Sequence, residues 1–153
     1  MFSESAVLDT EEEVGILQNL INELGLENKD TALHHLHLSE DHYLNKKWDD
    51  CISNSVKFFE SILQEVAAKQ YLITENKKIS KSIYESPKEV RNYLKENGLI
   101  EEKEKRTTAS IYSLLSETGG HPYIAKQEQA RLLRHLALTF CQFVMLRLKG
   151  FLF

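Results

Sequence analysis

The sequence predicts an all-α bundle of about six helices, and three observations point there. Apolar residues recur at steps of three and four along most of the chain, the spacing of one helix face. Only two prolines and six glycines interrupt 153 residues, which leaves room for long elements. No stretch alternates apolar and polar residues as a half-buried strand does. A hydrophobic share of 42% beside 27% charged residues is that of an ordinary globular domain, and the length suffices for a core without disulfide or metal staples. One domain over residues 1–153 is expected.

The elements follow in order. Thr10 and Glu13 have the spacing of a capping box, and Val14, Leu17, Ile21 and Leu24 then share a face up to Gly25, which suits a helix end. Asp30 is a second cap candidate, followed by a stripe of Ala32, Leu36, Ser39 and Tyr43 flanked by Leu33 and Leu44. After a short break at Asn45-Lys46-Lys47, the clearest helix carries Trp48, Cys51, Ile52, Val56, Phe59, Ile62, Leu63 and Val66. So short a link between two long helices implies an antiparallel hairpin. Thr74 to Ser86 is polar and reads as a flexible connector. Ser86-Pro87-Lys88-Glu89 combines a capping serine, a proline at the first helical position and a glutamate three residues beyond the cap. Val90 and Leu94 face inward, Gly98 closes that helix, and a charged turn from Glu101 to Lys105 leads to a shorter helix with Ile111, Leu114 and Leu115, ended by Gly119. The loop Gly119-Gly120-His121-Pro122 opens into the most apolar helix, Lys126 to Lys149, which is expected at the centre of the bundle.

A net charge of -4 argues against a protein that lives on a phosphate backbone, while a local basic patch remains compatible with nucleic acid. Cys51 and Cys141 both fall on apolar helix faces, where reduced thiols behave as small hydrophobes. A cytoplasmic location is the expectation. It agrees with an opening Met1-Phe2-Ser3-Glu4-Ser5 that has neither the basic nor the apolar part of a secretory signal. The end from Phe140 to Phe153 is interrupted by Gln142, Arg147 and Lys149 and reads as too short and too charged to span a bilayer, so no membrane partner is expected.

Three groups of residues can carry chemistry. His34, His37 and Asp41 project from one side of the second helix and can present three ligands to zinc or nickel. They also suit a solvated face, because neither an HExxH motif nor paired cysteines accompany them, and no metal or other cofactor is expected. Glu40 falls on the apolar side of the same helix, where an ionised carboxylate needs a partner. An arginine of the last helix can supply it, and so can water at the margin. On the last helix Arg131 and His135 are four apart with Gln142 two turns on, so the three can line a groove with a base and a phosphate-holding guanidinium, or form the wet stripe of a buried helix or a dimer rim. His121, at the mouth of that helix, can act in chemistry or bond the free amides of the helix start.

The hairpin ALHHLHLSEDHYLNKKWDDCISNSVKFFESILQEVA and the tail YSLLSETGGHPYIAKQEQARLLRHLALTFCQFVMLRL resemble the HEPN superfamily, and in particular the C-terminal domains of bacterial abortive-infection proteins. The resemblance covers about Ala32 to Leu148. It assigns Glu60 to the glutamate that closes the tract of the first helix pair and His121 to the histidine near the start of the last helix. It implies a helical bundle that pairs with a second copy and binds RNA, a nucleotide or a partner protein, in bacterial or phage defence. Active members use an arginine followed after four to six residues by a histidine. Here Arg131 and His135 are one residue too close, and no arginine precedes His121 at that distance. The expectation is therefore a non-catalytic binding and dimerisation module. The alternatives are a metal-independent ribonuclease using His121 or His135 with Arg131, and a metal-binding protein using His34, His37 and Asp41.

Overall fold

A computed structural model describes residues 4–118 and 126–153, all helices and their links. The described residues form α1 (Glu4–Leu24), α2 (Lys29–Leu44), α3 (Trp48–Glu75), the single turn α4 (Lys81–Tyr84), α5 (Pro87–Glu96), α6 (Glu102–Thr118) and α7 (Lys126–Leu152), with no strand among them. The all-α bundle expected from the spacing is what forms. The one-turn α4, inside the supposed connector, brings the number to seven. His121 and the glycines and proline beside it lie outside the described residues, as does the end of α6 at Gly119.

α3 and α7 are the central pair. α3 packs on α2, α4, α5, α6 and α7, and α7 on α1, α2, α3 and α6. Phe58, Phe59, Ile62, Val66 and Ala67 of α3 are fully buried, and so are Leu133, Ala137, Leu138, Cys141, Val144 and Met145 of α7. Each large side chain taken from water in this way contributes about 1.5–3 kcal/mol. Phe59 of α3 meets Phe140 of α7 edge to face, with ring centroids 6.3 Å apart. α2 lies along α3 through its expected stripe of Ala32, Leu36, Ser39 and Tyr43. Tyr43 meets Trp48 beside the link, His35 meets Asn54 further on, and Asn28 meets Glu65 further still.

Some boundaries differ from expectation for identifiable reasons. α1 begins at Glu4, so Thr10 sits inside the helix and the Thr10/Glu13 pair is no capping box. Glu13 instead turns toward α7. α2 begins one residue before Asp30, with Asn28 at the cap position making no side-chain cap bond because its amide is engaged with α3. α3 runs on to Glu75 and ends at Asn76, whose φ of 55° is the left-handed conformation that asparagine tolerates. The charged segment from Glu101 is already helical from Glu102, its Glu104 side chain accepting from the Glu101 amide at 2.7 Å. One start and two stops are as expected. Ser86 Oγ accepts from Glu89 N at 3.3 Å with Pro87 in the first turn, and Gly25 and Gly98 take positive φ at 63° and 78°, where a side chain would be strained.

α7 is longer than the apolar end suggested. Between Gln127 and Leu152 one 18-residue stretch reaches a mean hydropathy of 1.2, so by length and composition alone the helix could cross a bilayer, a test that the core helix of a soluble protein also passes. The segment from Phe140 to Phe153 is only its C-terminal half. One face of this helix is core, and the opposite face carries Leu132 and Leu146, 53% and 49% exposed.

Candidate functional site

The polar groups of the bundle gather in two places, one near each end of the α2–α3 pair. At the first, α3 presents Glu65 from between Ile62 and Val66 on its buried side, and Glu65 is only 1% exposed. A carboxylate there is tolerable only if donors meet it. Three do. Asn28 N donates to Oε1 at 2.8 Å, Asn28 Nδ2 to Oε2 at 3.1 Å, and the Tyr84 hydroxyl donates to Oε2 in a short hydrogen bond. Asn28 Nδ2 also donates to the Tyr84 hydroxyl at 3.2 Å, and Gln64 Nε2 to the Tyr84 carbonyl at 2.8 Å. Burial, reinforced by the bond to Glu65, pushes the Tyr84 phenol up to about 12. α4 contributes no buried residue and is tied to α3 through these bonds.

The three residues stand between two clefts. The larger, about 370 Å³, is walled by Gly25, Glu27 and Asn28 at the α1–α2 junction, Ala68, Lys69 and Leu72 of α3, and Lys78, Ile79 and Lys81 on the approach to and in α4. The smaller, about 220 Å³, lies on the other side of Asn28 and Tyr84, between His35 and Thr31 of α2 and Lys57, Glu60 and Ser61 of α3. His35 Nδ1 lies 3.3 Å from Asn54 Oδ1; the Asn54 amide nitrogen already donates to Asp50 O, so the histidine is the donor. Burial lowers the His35 pKa, against the bond to Asn54.

The second gathering surrounds Arg134 of α7, 1% exposed. Its Nη1 is 3.8 Å from Glu13 Oε2 of α1, and its guanidinium carbon lies 5.7 Å from the centre of the Tyr43 ring. Its Nε and Nη2, the side-on fork that pairs with carboxylates, have no hydrogen-bond partner among the described residues, and neither has Glu40 Oε2 of α2. Burial raises the Glu40 pKa, and the positive charge of Arg134 opposes that rise. The arginine that Glu40 was expected to need is thus within electrostatic reach but unbonded.

The expected site residues are placed as follows. Arg131 and His135 are both exposed, and His135 Nδ1 lies 3.6 Å from Glu13 Oε2. Gln142 is half-buried. His121 lies outside the described residues. His34, His37 and Asp41 are all exposed, the His34 ring resting 5.4 Å from that of His35, and no group of three possible ligands converges among the described residues. Glu60 lines the smaller cleft. Sequence reasoning missed Glu65 and Arg134. Both sit at core spacing, Glu65 beside Ile62 and Val66, and Arg134 with Ala130, Ala137, Leu138 and Cys141 three, four and seven positions away. A charge on a core face was the available signal. No family model, no curated protein and no solved structure matches the chain.

Proposed function

We propose that the chain is a non-catalytic helical binding module that works as a homodimer, in the manner of the HEPN domains it resembles. The observation that carries the reading is the outward face of α7. Leu132 and Leu146 are exposed there on either side of the exposed Thr139, with Leu136 half-buried at the margin, and these positions form a stripe at helical spacing. A two-fold axis through Thr139 with the helices antiparallel sets Leu132 of one copy against Leu146 of the other, so the stripe is complementary to itself. Two further points favour binding over catalysis. The arginine and histidine of α7 lack the ribonuclease spacing, and His135 faces Glu13. The fully buried arginine, Arg134, is out of reach of a phosphate backbone.

Light scattering after gel filtration tests the pairing. The native chain is expected at twice the chain mass, and Leu132→Asp and Leu146→Asp at the single mass with unchanged helicity. A monomeric native chain at high micromolar concentration overturns the dimer. Incubation with RNA in chelator, beside His121→Ala and His135→Ala, tests the other half. Cleavage that either substitution abolishes would replace a binding module with a ribonuclease.

A further inference from the structure

We propose that the larger cleft, between α3 and the approach to α4, binds a small amphipathic anion, with its acid group on Lys69, Lys78 and Lys81 and its apolar body on Ala68, Leu72 and Ile79. The inference is independent of the α7 pairing.

Size and composition come first. About 370 Å³ is within the range of small-molecule pockets, and such sites are apolar hollows with a few placed polar groups. The apolar wall has an identifiable origin. Leu72 lies in the last turn of α3 and is exposed, while Ile79 follows the left-handed Asn76 and folds back on the core, so the chain reversal leaves an open apolar step between them.

Charge selects the sign of the occupant. Two carboxylates line the cleft, and both are engaged. Glu65 accepts from Asn28 and Tyr84, and Glu27 lies 3.4 Å from Lys78 in an exposed pair that solvent weakens. Lys81 likewise has an exposed partner, Glu85, at 3.7 Å. Lys69 differs. Its ammonium faces the carbonyl of Gly25 at 3.4 Å, a long bond to a neutral acceptor, which leaves its charge without an acid among the contacts described. A cation held at the mouth of an apolar hollow, with two more on the rim, suits a carboxylate on a hydrocarbon body and repels an amphipathic cation.

Titration calorimetry of the full chain with decanoate and with decyltrimethylammonium reads this directly. Decanoate is expected to bind at one site per chain and the cation not to bind. Lys69→Glu is expected to weaken decanoate at least tenfold, Ala68→Trp to abolish binding by filling the hollow, and Leu132→Asp, on the α7 face, to leave it unchanged. Lys69 is half-buried with its ammonium at an exposed bond, so its variant reports even if Ala68→Trp fails to fold. Absence of decanoate binding, equal binding of the cation, or loss in Leu132→Asp without loss in Lys69→Glu overturns the proposal. Because the α7 variant is monomeric on the dimer reading, decanoate binding that survives in it separates the fate of this site from the fate of the dimer.

Discussion

Glu65 is buried and Glu40 half-buried against core helices, yet donors meet both oxygens of the first and leave one oxygen of the second without a partner among the described residues. Glu65 looks toward a chain turn, where the amide of Asn28 is free of any helix and a tyrosine arrives from a separate element. Glu40 looks from the C-terminal part of α2, where the free backbone groups are carbonyls and only side chains can donate. Arg134, whose charge acts most strongly on it, lies 3.8 Å from Glu13, and its side-on fork has no partner among the described residues. The contrast teaches that a carboxylate drawn from water is satisfied where a chain turn brings free donors, far more readily than where the end of a helix offers only carbonyls.

The largest expected effect comes from Glu65. Glu65→Ala strands Asn28 N, Asn28 Nδ2 and the Tyr84 hydroxyl, and a loss of about 3 kcal/mol in urea unfolding is expected from hydrogen bonds to a charged group. A loss below about 1 kcal/mol would remove the contrast with Glu40. The second effect has the opposite sign. In the double variant Glu40→Leu/Arg134→Met, apolar atoms replace a half-buried carboxylate and a buried guanidinium with two unpartnered nitrogens, and a gain of about 1 kcal/mol is expected from relieving them. A double variant clearly less stable than the native chain would mean that Arg134 is satisfied after all.

The smallest effect is a pH dependence. The folded-state pKa of Glu40 lies above its ordinary value of 4.5, so the folded chain bears a penalty that is complete above the raised pKa and disappears as the pH falls through it toward 4.5. Glu40→Gln removes that penalty. The variant is expected to be the more stable at neutral pH, with its advantage shrinking on acidification across that window, as followed by denaturant midpoints. An advantage that grows on acidification would show that Arg134 holds Glu40 ionised.

Most of the architecture was readable from apolar spacing, because burial of one helix face writes itself directly into residue type. The stripe of Ala32, Leu36, Ser39 and Tyr43 emerged whole, and the Ser86-Pro87 start and the Gly25 and Gly98 ends were placed by local chemistry alone. The start of α1 was not, since Thr10 is as compatible with a helix interior as with a cap, and the residues before it decide. The cleft was not readable either. It depends on Asn28, Glu65 and Tyr84, up to 56 positions apart, meeting at the turn that α4 creates. The expected groove of Arg131 and His135 picked two exposed residues of α7 and overlooked Arg134 between them, whose spacing belongs to the core.

The two thiols give the bundle a built-in clock. Burial pushes the Cys51 thiol up to about 11 and the Cys141 thiol well above its ordinary value, so neither offers appreciable thiolate to an alkylating reagent while its helix stays seated. Modification must wait for opening, and its rate converts into the free energy of the opening that admits it. Cys51 lies in the first turn of α3, beside the Arg134 cluster, and Cys141 in the middle of α7. If the unpaired charges loosen that end of the molecule, Cys51 is labelled before Cys141. Equal rates would mean that the two central helices come apart only together.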